Sequence, residues 1–266
     1  MPIIDFHAHV YPDRLAERAT RATCDFYGLD TPATGSVGQL LARGSAAGIS
    51  QYVLLPVAVH PTGVRHVNEF IVQTVSQNDA FYGFGTVHPD MEGLADELAY
   101  IRASGLRGVK LHPDMQGVNS DDGRLDVIYD FLSETGLPLL IHCGDPTRDF
   151  SHPRRLRRAM DRHPRMTVVA AHLGGWSHWD EALESLGKTG CYLDMSSCAA
   201  FMSPQQLLHY IRSYGASRIL FGTDFPVGQP DFEVRSLLSL PLNETELAQI
   251  THQNAESLLG LTGSIL

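Results

Sequence analysis

The chain's first apolar stretch, MPIIDFHAHVYP, ends in Asp5, His7 and His9 at alternate positions. Alternate residues of a strand point to one side. His7 and His9 therefore share a face, with Asp5 beneath them. Further histidines recur at or just past the ends of later short apolar runs: His60, His88, His112, His142 and His172. Asp224 closes the last such run, in FGTDFP. Imidazoles joined by one carboxylate make a nitrogen and oxygen set that suits Zn²⁺. A lone HxH on a strand is weaker, since buried histidines are often satisfied by backbone. His60 and His88 each precede proline, and for His60 a turn cap is the simpler role.

Eight short apolar runs carry these residues: 3–8, 51–59, 81–87, 106–111, 137–143, 166–172, 190–196 and 218–223. Each is bounded by Gly or Pro and rich in β-branched or aromatic residues, which reads as buried strand. Helical spacing fills 37–48, 67–78, 93–104, 124–135, 152–163, 178–187, 203–215 and 243–261. Ser203 and Pro204 mark one helix start as N-cap and first helical residue. Eight alternating strand and helix units predict a (β/α)8 TIM barrel, with catalytic residues at the strands' C-terminal rim. An open doubly wound sheet would place a glycine-rich turn after its first strand, and FHAHVYP is not one. No composition break divides 1–266, so one domain is expected. The connection 10–35 is the one long loop, placed to act as a lid.

Lysine is rare: of 20 basic residues only Lys110 and Lys188 are not arginine. In LRGVKLHP, Gly108, Lys110 and His112 alternate, which turns Lys110 and His112 into the barrel. A buried lysine needs a reason, and unlike arginine it can lose its proton. Contact with a metal or substrate, or an ion pair with Asp5 or Asp194, would supply one. A Schiff-base lysine would not need the ring of histidines, and for a glycosidase the rim offers Asp194 and Asp224 but no evident Glu pair.

The net charge of −10 argues against nucleic acid or an anionic membrane as partner. No run reaches the roughly 20 apolar residues of a membrane span, and the first residues lack the pattern of a secretory signal. Four cysteines without a CxxC pattern suit a reducing cytoplasm. A small-molecule substrate and a homodimer are the default expectations.

The motifs DFHAH, KLHP (110–113), IHCG (141–144), AHLGG (171–175) and GTDFP (222–226) resemble the amidohydrolase superfamily. The nearest likeness is its amidohydrolase-2 branch, related to aminocarboxymuconate-semialdehyde decarboxylase, whose C-terminal helix NAESLLGL (254–261) also resembles. The resemblance spans the chain. It implies His7 and His9 as first-strand metal ligands and His142 as the fifth-strand ligand. It makes Asp224 the eighth-strand ligand and proton shuttle. His172 then binds a second metal or steadies charge on the substrate. Lys110 is either a carboxylated bridge between two metals or a cation for a substrate carboxylate, which leaves one or two zinc ions.

The leading expectation is a hydrolase of a small amide, lactone or ester, with metal-activated water as nucleophile and Asp224 and His172 as catalytic residues. The alternative is non-oxidative decarboxylation of a small unsaturated or aromatic acid. Asp5 and Asp194 would orient imidazole N–H groups. Lys110, His112, Arg14 and Arg148 would contact substrate. Tyr11, Phe26 and Tyr27 are candidates for the pocket wall.

Overall fold

The computed structural model describes residues 2–261. Nine strand segments build the frame: β1 Ile4–Ala8, β2 Gln51–Leu54, β3 Phe81–Gly83, β4 Gly85–Thr86, β5 Val109–Leu111, β6 Leu139–Ile141, β7 Val168–Ala170, β8 Tyr192–Asp194 and β9 Ile219–Leu220. All pair in parallel and in chain order, β1 to β3 in one ladder and β4 to β9 in another. Phe84 joins the ladders within one stave: its N–H donates to Leu54 O at 3.0 Å, and that of Gly85 to Gly108 O at 2.9 Å. The last stave returns to the first. The N–H groups of Phe6, His9 and Asp224 donate to Phe221 O, Phe225 O and His7 O at 2.8, 2.7 and 2.7 Å. The eight staves are those of a (β/α)8 barrel.

Helices follow the strands: α1 Asp13–Tyr27, α2 Val37–Ala46, α3 Val64–Ser76, α4 Leu94–Ala103, α5 Pro113–Gln116, α6 Asp126–Thr135, α7 Pro153–Arg162, α8 Trp179–Leu186, α9 Pro204–Tyr214, α10 Pro230–Leu238, α11 Glu244–Ala248 and α12 Asn254–Leu258. Ser203 caps α9 in a full capping box with Gln206, and Pro204 stands in its first turn, as the sequence predicts. Three helices depart from expectation: the short α5, α10, and α1, which occupies much of the segment read as loop. Its buried stripe is Ala16, Thr20 and Cys24, and Gly28 ends it at φ 65° with its N–H on Cys24 O. The base of the excursion is closed by Tyr11, whose N–H donates to Gly35 O at 3.0 Å.

Apolar packing forms two layers. The larger lies between strands and helices and includes Leu54, Val109, Leu139, Val168 and Leu193. The smaller fills the lower barrel with Ile4, Phe6, Val53, Phe84 and Leu140, joined by Ala255 and Leu259 of the C-terminal segment.

The first strand does not keep strict alternation. Its register against β2 shifts between Asp5 and Ala8, a β-bulge. Below the bulge Ile4 and Phe6 belong to the inner layer, and above it His7 and His9 line the cavity. Asp5 consequently falls on the other face, not beneath the histidines.

Candidate active site

The strand ends bring His7, His9, Lys110, His112, His142, His172 and Asp224 around one cavity of about 420 Å³. Space for them is built in. A Cβ on Gly222 would lie 2.9 Å from His7 Cβ and 3.1 Å from Ser196 Cβ. A Cβ on Gly144 would strike the Trp176 backbone at 2.3 Å. His172 and Asp224 both adopt left-handed backbone, φ 58° and 57°, a strained conformation for residues with side chains.

Hydrogen bonding fixes the imidazole tautomers. His9 Nδ1 stands 2.6 Å from Leu55 O, and His7 Nδ1 stands 3.0 Å from Asp194 Oδ2. Carbonyls and carboxylates only accept, so both Nδ1 atoms carry the proton. In that tautomer each ring leaves Nε2 bare. These two nitrogens are 3.1 Å apart. Asp224 Oδ1 lies 3.5 Å from His7 Nε2 and 3.3 Å from His9 Nε2. Three lone pairs thus converge, which is unfavourable unless a cation sits among them. Ligand bonds of about 2.0–2.2 Å at tetrahedral angles set donor atoms roughly 3.3–3.6 Å apart, so the trio fits a divalent metal ion.

A second pair repeats the pattern. His142 Nε2 faces Gly144 O at 2.9 Å, and His172 Nδ1 faces Ser196 O at 3.0 Å. Their remaining nitrogens, His142 Nδ1 and His172 Nε2, are 3.0 Å apart. The structure therefore divides the expected ligand set. His7, His9 and Asp224 converge on one point, whereas His142 turns toward His172.

Electrostatics follow from burial. Burial and the nearby Lys110 charge lower His7 to about 3, so its ring is neutral. Burial would raise Asp194 and Asp224, but their imidazole partners outweigh it and hold both well below the usual carboxylate range. Ser197 Oγ donates to Asp224 Oδ2 at 2.6 Å, leaving Oδ1 for the two nitrogens. Lys110 is fully buried, and burial lowers it to about 8. Its Nζ lies 3.4 Å from His7 Nε2. Among the described residues no carboxylate comes within ion-pair distance of it, so the alternative of an ion pair with Asp5 or Asp194 is set aside.

Three further expectations need correction. Asp5 does not orient a ring: the bulge turns it toward backbone, where Oδ1 accepts from the N–H groups of His7 and Thr223 at 3.0 and 2.9 Å. Arg14 is exposed on α1, outside the cavity. Arg148 is also outside; Nη1 donates to Asp145 Oδ2 at 3.0 Å and its guanidinium covers the Phe26 ring at 3.9 Å. His88 accepts the Asp90 N–H and His60 is exposed.

Tyr27 has a larger part than its place in the sequence suggested. From the end of α1 its hydroxyl reaches His112 Nε2 at 2.7 Å and His142 Nε2 at 3.3 Å. His112 Nδ1 accepts the Met115 N–H, so its Nε2–H donates to Tyr27. Burial raises the phenol well above its usual range, so it keeps its proton. Asp114 was not foreseen either. It is buried 3.8 Å behind His142 Nε2, and burial raises it to about 6.

Comparison with known proteins agrees with the fold. A search among curated proteins finds no significant match. A solved TIM-barrel protein of uncharacterised function from Bordetella bronchiseptica is similar at TM-score 0.82 and 23% identity, over 98% of this chain and 99% of that one. The 5-carboxyvanillate decarboxylase of Sphingomonas paucimobilis is similar at TM-score 0.74 and 17% identity, over 97% and 99%. A dihydroxybenzoic acid decarboxylase of Polaromonas, solved with manganese and the inhibitor 2-nitroresorcinol, is similar at TM-score 0.72 and 18% identity, over 98% and 97%. The model of the amidohydrolase family matches residues 4–261. The chain belongs to the amidohydrolase family, in its amidohydrolase-2 branch.

Proposed function

We propose that the protein is a metal-dependent lyase that removes CO₂ from a small aromatic or unsaturated acid. The observation that carries this reading is Lys110. A buried ammonium without a carboxylate partner, beside a metal-fitting trio, is completed by an anionic substrate. A neutral amide, lactone or ester leaves that charge unmatched. The decarboxylases among the structural neighbours support the same reading.

His7, His9 and Asp224 would hold a divalent cation, manganese or zinc. When bound, it supplies a Lewis acid and an anchor for substrate oxygens. Lys110 would pair with the substrate carboxylate as a point charge. The Tyr27 oxygen accepts the His112 Nε2–H, so the Tyr27 O–H would be the donor to a second oxygen of the substrate. Asp224, ionised at rest, would relay a proton from solvent to the carbon bearing the carboxylate. The C–C bond then breaks, its electron pair returns to the substrate's π system, CO₂ leaves, and Asp224 is ionised again. The apolar wall keeps bulk water from the reacting carbon.

One observation favours hydrolysis as a second reading. The bare nitrogens of His142 and His172 at 3.0 Å suit a second cation, and Asp224 would then accept the proton of the attacking water. The two readings separate in one assay. Manganese-loaded protein is offered a panel of dihydroxybenzoates and a panel of lactones and amides. Release of CO₂ from a member of the first panel is expected, and acid production from the second alone would overturn the lyase reading.

A further inference from the structure

The charged and imidazole side chains of the cavity come from the strand ends. Its roof is one face of α1, with Ala19, Ala22, Thr23 and Phe26 at three- and four-residue spacing. Val57, Met115 and Trp176 complete the upper wall. Among the described residues, no arginine lines the cavity and Lys110 is its lysine. Both arginines near the mouth are turned away. Arg14 points to solvent, and Arg148 is tied to Asp145 on the outer side of Phe26. A volume of about 420 Å³ leaves room beyond a single ring, within the roughly 300–1,000 Å³ of small-ligand pockets.

We infer that this roof makes the site selective for a singly charged acid with an apolar body, and that a second carboxylate away from the metal floor is rejected. This rests on the acid-substrate reading of Lys110 and adds what the rest of the substrate must be. The physical basis is asymmetric. Each methylene placed against the α1 face exchanges water for apolar contact and tightens binding, whereas a second carboxylate there loses water and meets no counter-charge. Ala22 is the position that sets the choice. It lines the cavity, yet it lies on the exposed surface of α1, where a longer side chain can be carried.

Three probes test this on the intact manganese-loaded protein: 2-hydroxybenzoate, its 4-ethyl derivative and its 4-carboxy derivative. Dissociation constants are read by calorimetry, so the test does not depend on turnover. The ethyl group is expected to tighten binding roughly tenfold relative to 2-hydroxybenzoate. The 4-carboxylate is expected to weaken it at least about tenfold. In Ala22→Arg the 4-carboxy probe should gain about tenfold and overtake the ethyl one, which a general loss of folding cannot produce. A parent that binds the 4-carboxy probe as tightly as the ethyl probe would overturn the inference, as would failure of the ethyl probe to bind. So would an unchanged order in the variant. If the order holds but no CO₂ is released from any acid, the lyase reading falls and the selectivity stands.

Discussion

Two imidazole pairs face each other across the same floor, and their surroundings differ. His7 and His9 have Asp224 Oδ1 within 3.5 Å of both bare nitrogens, and Asp194 behind His7. Among the described residues no carboxylate stands at the meeting point of His142 and His172; Asp114 stands behind the other nitrogen of His142. A dication at the first pair is partly neutralised, while one at the second meets neutral nitrogens. Equal nitrogen spacing therefore does not mean equal affinity: the carboxylate decides which pair holds metal tightly.

The comparison breaks most visibly at Asp224. Asp224→Asn should lower kcat/KM by about 10³-fold, because it removes both a charge from the metal trio and the proton carrier. Steady-state kinetics against any acid found to release CO₂ checks this. Next in size is Lys110→Met. Loss of the buried ammonium should raise KM for an acid about 30-fold or more, with metal content unchanged. The same variant sharpens a pH effect. Lys110 is lowered from 10.5 to about 8 in the folded protein, so between those values the unfolded chain binds the extra proton. Parent stability should rise from pH 8 toward 10.5, and denaturant titrations should find that part of the slope gone in Lys110→Met.

Smaller effects distinguish the pairs. Asp194→Asn should weaken manganese binding by about 10- to 100-fold, since the carboxylate fixes the His7 tautomer. Tyr27→Phe should cost roughly 2- to 10-fold in KM with little change in kcat, the worth of one hydrogen bond. A larger kcat effect would place the phenol in the chemistry itself.

The sequence announced the site better than its surroundings. Histidines at strand ends were legible because the apolar runs mark the strands and the barrel fixes which end is the rim. Lys110 and His112 stood out through alternation that β5 keeps. The bulge in β1 was not legible, since one displaced residue leaves no mark in a run of apolar side chains, and it moved Asp5 to the opposite face. Helix α1 was missed because its buried stripe is Ala16, Thr20 and Cys24, too small and polar to read as a packed face. Asp13 and Gly28 at its ends were the available signals. Arg14 and Arg148 lie near the mouth in sequence, but sequence position does not give side-chain direction, and neither lines the cavity.

The central claim is that a divalent metal belongs to His7, His9 and Asp224 rather than to the pair His142 and His172. Equilibrium manganese binding, read by electron paramagnetic resonance on the parent, His7→Gln and His142→Gln, tests it most directly. One tight manganese per chain should survive in His142→Gln and disappear in His7→Gln. Tight binding lost equally in both variants, or absent from the parent, would contradict it.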